Sequence, residues 1–138
     1  MPIMNWDSSL DIGVEAMNSE HRDILDLMNK IYDARHTSQE GPLINLLISQ
    51  LGQVCKNHFS DEEKFMAQIR FPDLKGHQIL HQKLLGKFNE HAARIKAAGG
   101  KADDAFFEFL KFWLSSHIKG IDVKYAAHSK SPSAQAAH

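Results

Sequence analysis

The sequence predicts an all-α protein, an up-down-up-down four-helix bundle with an N-terminal arm and a short flexible C-terminal tail. Three observations carry this expectation. Four segments repeat apolar residues at helical spacing, no segment alternates with period two, and the breaks between segments are short, which favours antiparallel neighbours. The 138 residues suit one domain, expected over 1–128 with 1–17 as the arm, and suffice for a core without disulfides.

In the arm, Trp6, Leu10, Ile12 and Val14 give an irregular stretch an apolar side to pack on the bundle. The first helix is expected over 19–37, with Ile24, Leu25, Met28, Ile31 and Tyr32 on one face and Asn18 or Ser19 as N-cap. The second, 42–69, opens with Pro42 behind Gly41 and carries Leu43, Leu46, Leu47, Leu51, Val54, Phe59, Phe65 and Ile69. Pro72 disfavours helix at Phe71 and sets the next boundary. The third, 73–98, carries Leu80, Leu84, Leu85, Phe88 and Ile95 and stops at Gly99-Gly100. The fourth, 102–127, carries Phe106, Phe109, Leu110, Trp113 and Leu114. The stretch 129–138, SKSPSAQAAH, is small and polar and is expected to be disordered.

Composition narrows the function. With 43% hydrophobic and 24% charged residues and a formal net charge of -1, there is no electrostatic case for nucleic acid or an anionic membrane as main partner. No apolar run approaches the ~18 residues needed to span a bilayer. The opening MPIMNWDSSLDIG lacks the basic and apolar regions of a signal peptide. The single cysteine, Cys55, excludes an intrachain disulfide and a thiolate-rich metal site. A cytoplasmic location is the expectation, with a monomer favoured.

The histidine count, nine, is high, and the positions matter more than the number. The first helix carries His21, the second His58 and Glu62, the third His77 and His81, and the fourth His117 and Asp122. Residues four apart on an α-helix differ by about 40° and about 6 Å, so His58/Glu62 and His77/His81 each share a face, and both pairs lie in apolar stripes. His117 and Asp122, five apart, are rotated by about 140° in an ideal helix. The helix must end, fray or bulge there, and Gly120 makes that feasible. One core histidine is more often a packing residue than a ligand. Five of them with two carboxylates, which are costly to bury unless paired or metal-bound, point to a metal. Gln78 and Glu63 each follow a candidate ligand by one residue, about 100° off its face, and Glu63 is expected in solvent. His91 lies about 21 Å along its helix from His77, His36 is equally remote from His21, and His128 and His138 belong to the tail, so these four are read as non-ligands.

Five imidazoles and two carboxylates are too many for one tetrahedral zinc. With both carboxylates bridging and an oxide or hydroxide between the metals, they fill all but one position of two six-coordinate ions, a nitrogen and oxygen set that favours iron or manganese.

The order His21, HxxxE at 58–62, HxxxH at 77–81 and HxxxxD at 117–122 resembles hemerythrin in its bacterial form. Supporting stretches are Gly13-Val14-Glu15-Ala16-Met17-Asn18, HFSDEEKFM at 58–66, FPDLKGHQILH at 71–81 and WLSSHI at 113–118, so the likeness runs from residue 6 to 125. Phe71 departs mildly from relatives that carry a hydroxylated aromatic before the proline. The resemblance implies two iron ions bridged by oxide or hydroxide, Glu62 and Asp122. His77, His81 and His117 would bind one iron, and His21 and His58 the other, which keeps the open position. Dioxygen would bind end-on there, with one electron from each iron and a proton from the bridging hydroxide, and Leu25 and Ile118 would line the oxygen pocket.

The function expected is therefore reversible dioxygen binding for carriage, storage or delivery to a downstream oxygen-consuming enzyme, without catalysis. The alternatives are a di-iron enzyme acting on peroxide or nitric oxide, and an oxygen or iron sensor module. Iron storage is disfavoured, because a closed site holds only two ions.

Overall fold

A computed structural model describes residues 3–37 and 40–130. It is an all-α four-helix bundle: α1 Glu15–His36, α2 Pro42–Gln68, α3 Leu74–Ala97 and α4 Asp104–His117, then a π-helical turn Ile118–Asp122 and a short α5 Val123–Ser129. The arm holds a 3-10 turn, Ser8–Leu10.

Contacts between the helix ends fix the up-down order. Arg35 at the end of α1 pairs with Asp104 at the start of α4 (2.6 Å), and the Gly41 N–H before α2 donates to the Gly100 carbonyl after α3 (3.2 Å). At the opposite end, His128 donates to the carbonyl of Ile69 just past α2 (2.9 Å). Gly100, at φ 86°, is a position only glycine fills without strain, because a Cβ there would run into the Gly41 backbone. The α2 terminus is a Schellman turn in which Phe71 N–H reaches the Met66 carbonyl (2.9 Å), with Arg70 left-handed at φ 55°.

Two expectations are corrected. First, α1 starts at Glu15, so the arm is shorter than expected, and neither Asn18 nor Ser19 caps the helix. Asn18 is buried in the first turn. Its Oδ1 accepts from Ile12 N–H (3.1 Å) and its Nδ2 donates to Asp11 (2.7 Å), which ties the arm to the helix. Asn29 adds a second tie, accepting from Ile3 N–H (2.8 Å) and donating to the Met4 carbonyl (3.1 Å). Second, Leu43, Leu46 and Leu80 face solvent, and Ile44, Ile48 and Phe107, not read from the sequence, are buried, while Leu51, Phe59, Phe88, Ile95, Phe106 and Leu110 are buried as expected. The fourth helix is interrupted by the π turn Ile118–Asp122, as the spacing of His117 and Asp122 requires. The arm backs that break, with the fully buried Leu10 in the 3-10 turn that packs on it. Of the expected tail, Ser129 is the last residue of α5 and 131–138 lie outside the described residues.

Candidate metal centre

The four helices bring all seven candidate residues together: His21 from α1, His58 and Glu62 from α2, His77 and His81 from α3, His117 from the last turn of α4, and Asp122 from the π turn. All are buried; Glu62 and Asp122 have no exposure at all. The i,i+4 pairs share faces as their spacing requires. The five-residue spacing is met by the π turn, where Val123 N–H donates to Ile118, five residues back, and residues five apart stack. Glycine does not impose this turn, since a Cβ on Gly120 would meet nothing within 4 Å.

The side chains fall into two overlapping groups, each with ligand atoms within 4.8 Å of one another: Glu62, His77, His81 and His117, and His21, His58, Glu62 and Asp122. Glu62 belongs to both. Its Oε1 lies 3.1 Å from His81 Nε2 and 3.3 Å from His58 Nε2. Asp122 reaches across the groups as well. Its Oδ1 lies 3.1 Å from both His77 and His117, and its Oδ2 lies 3.2 Å from His21.

The donor set fits metal ions on an observation independent of residue type. His21 Nε2, His81 Nε2, Glu62 Oε1 and both oxygens of Asp122 are buried without a hydrogen-bond partner among the described residues. Buried polar atoms are nearly always paired, so orphans that converge from four helices are the mark of a cation site. The charges agree. Burial pushes the Glu62 carboxyl up, but the His58 charge and the imidazoles of His21 and His81 hold it well below the usual carboxylate range. Burial pushes the His58 imidazolium down, but Glu62 and Glu20 outweigh it and lift His58 to about 10. A proton on His58 offsets the Glu62 charge when no metal is bound, and a metal ion would displace it.

Three residues support the ligands; Glu20 and Tyr125 went unread in the sequence, and Glu63 was expected in solvent. Glu20 accepts from His58 Nδ1–H (2.6 Å), Glu63 accepts from His81 Nδ1–H (2.9 Å), and the buried Tyr125 hydroxyl donates to Glu62 Oε2 (2.6 Å). Such bonds fix the tautomer and aim of a ligand. The expectation that Glu63 stands in solvent is corrected: its backbone direction is off the ligand face, but its side chain reaches the outer nitrogen of His81 on the next helix. Tyr125 carried a legible signal, three residues past Asp122 on one helical face. Glu20 carried none, because its partner lies on another helix.

The remaining histidines stand apart. His36 is exposed beside the Tyr32 ring, His91 stacks on Phe109 (4.9 Å), and His128 binds the Ile69 carbonyl. His138 lies outside the described residues. A pocket against the cluster is lined by His21, His58, His117 and Asp122 with Ile24, Phe59, Trp113, Leu114 and Ile118. Leu25 is buried but is not among the residues lining this pocket, whereas Ile24, three residues from His21, is.

Comparison with known proteins points the same way. The family model of the hemerythrin HHE cation binding domain matches residues 12–128. The chain is 33% identical over 120 residues to a myohemerythrin of Riftia pachyptila, covering 87% of this chain and 88% of that one. It is 34% identical over 121 residues to a hemerythrin-like protein of Naegleria gruberi (88% and 89%), and 28% identical over 130 residues to a bacteriohemerythrin of Stenotrophomonas maltophilia (94% and 84%). A buried cluster of five imidazoles and two carboxylates on a four-helix bundle, and a match over most of the chain, place this protein in the hemerythrin family, which binds dioxygen at a non-haem di-iron centre.

Proposed function

We propose that this chain binds dioxygen reversibly and does not transform it, as a carrier, store or delivery protein. In this reading His77, His81 and His117 would hold one iron, His21 and His58 would hold the other, and Glu62 and Asp122 would reach both. Support comes from the two overlapping groups, which separate three imidazoles from two with Glu62 common to both. When bound, the iron pair supplies reversible electron transfer to dioxygen.

The chain's own residues set the limits of that chemistry. Five neutral imidazoles leave less negative charge at the metals than the carboxylate-rich sites of di-iron oxidases, and so give less support to high-valent iron. Glu20, Glu63 and Tyr125 occupy the outer sides of His58, His81 and Glu62, so each of these ligands is held in one orientation. The observation that carries the reading is the pocket wall. Apart from the cluster itself, it is Ile24, Phe59, Trp113, Leu114 and Ile118, with no acid–base side chain among the described residues to deliver a proton for O–O cleavage. The same wall excludes water.

The one cysteine, Cys55, is buried, with its thiol pushed up to about 12 by burial, which supports packing over redox work. A lone unpaired thiol fits a reducing, cytoplasmic setting. Among the described residues no helix is long and apolar enough to cross a membrane. We take the working unit to be a monomer that supplies an oxygen-consuming enzyme.

The test is cycling against turnover. Reduced, iron-loaded protein moved repeatedly between argon and air should regain the same two spectra each time. Multiple-turnover consumption of peroxide or nitric oxide, with loss of the spectra on cycling, would favour an enzyme and sink this reading.

A further inference from the structure

The core holds a second apolar space next to the pocket at the cluster. Cys55 on α2, Leu84, Leu85 and Phe88 on α3 and Phe109 on α4 line it, and Phe59 and Trp113 close its inner side. It has about 10 Å³ of room for the centre of a water-sized molecule, whereas the pocket against His21 and His58 has about 0 Å³. That is space for roughly one small molecule. Water suits it poorly, because an ordered water needs about two to four polar partners. The side chains here offer a thiol and one indole N–H. Leu84, Leu85 and Phe109 are half-buried, so the outer wall reaches the surface.

Phe59 and Trp113 are walls of both spaces. The Phe59 ring is stacked on His81 at 4.0 Å and 10°, which holds it against a candidate ligand. Trp113 is held differently. It is buried, and its Nε1–H has no hydrogen-bond partner among the described residues. Packing alone sets the position of the indole, so the partition has one fixed panel and one without a polar anchor.

We propose that this chamber is a waiting site for dioxygen, an apolar diatomic, on its way to and from the centre past Trp113. The proposal rests on the dioxygen-binding reading, and its test separates the two.

Crystals of the iron-loaded protein under xenon should show a xenon atom between Cys55, Leu85 and Phe88, as dry apolar cavities do. Leu85→Trp narrows the outer wall at a half-buried position, and Cys55→Leu fills the chamber from inside. In both variants, flash-photolysis or stopped-flow rates of dioxygen uptake and release should fall together by about tenfold, because a barrier on a shared route slows both directions. Xenon missing from the chamber of a protein that does bind dioxygen would overturn the proposal alone. So would unchanged rates in both variants, folded and iron-loaded. Xenon seated in the chamber of a protein that never binds dioxygen would sink the function reading, and the proposal with it.

Discussion

Two halves of one bundle core use the same helical faces and are held together by different means. Toward the Gly41–Gly100 end, Met28, Ile31, Ile44, Ile48, Leu51, Ile95, Phe106 and Leu110 pack as hydrocarbon with almost no exposure. Toward the other end, the same stripes carry His21, His58, Glu62, His77, His81 and His117, with Asp122 brought in by the π turn. In the first half each side chain stabilises the fold by leaving water, at about 25 cal/mol per Å² of apolar surface. In the second, burial is a cost that only opposite charge offsets. The lesson is that helical periodicity specifies where a core lies, while residue chemistry decides whether that core is complete in the chain itself or only with bound cations.

The sharpest way to break this comparison is Glu62→Ala. Glu62 belongs to both ligand groups, so the variant should lose both irons on gel filtration and keep its helical circular dichroism; iron retained at wild-type content would refute the shared role. Metal removal comes next. At free iron about a thousandfold above Kd, binding contributes about 4 kcal/mol, so chelation should lower the melting temperature by a matching amount. The metal-free protein should also respond to pH. His58 is raised to about 10 by Glu62 and Glu20 against burial, from about 6.5 in an unfolded chain. A raised pKa stabilises fully below the unfolded value, and the contribution is lost as pH rises through the folded one. Melting temperatures of the metal-free form should therefore fall between about pH 7 and 10, while those of the loaded form, whose ligands carry no such proton, hold steady. A flat metal-free profile would count against proton compensation.

Leu110→Ala probes the hydrocarbon half. A fully buried leucine lost there should cost about 2–5 kcal/mol in denaturant unfolding and leave iron content unchanged; coupled loss of iron would show that the halves are not separable. Tyr125→Phe is the gentlest change. It removes the hydroxyl that donates to Glu62 and should weaken iron retention by about 10- to 100-fold in chelator competition. Unchanged retention would reduce Tyr125 to packing.

The two halves also differ in how far the sequence reveals them. Helix existence followed from apolar periodicity, but not every inner position did: Leu43, Leu46 and Leu80 are exposed, and Ile44 and Ile48 pack inside. On helices this rich in leucine, the pattern alone does not say which apolar residue is innermost. The candidate ligands were more legible, because histidine and carboxylate at i,i+4 have few other reasons to fall inside a core. The misfit of His117 and Asp122 pointed to a backbone irregularity, and the π turn supplies it. What remained hidden was Glu20 on His58 and Glu63 on His81, both made across helices, and Asn18 tying the arm to the first turn of its own helix. These depend on packing that no single-helix spacing encodes.

The central claim, that one half of the core is built around a pair of metal ions, is tested most directly by anomalous diffraction at the iron edge from iron-loaded crystals. The account predicts two peaks per chain on either side of Glu62, one among His77, His81 and His117 and one beside His21 and His58. A single peak, or iron bound elsewhere on the chain, would contradict it.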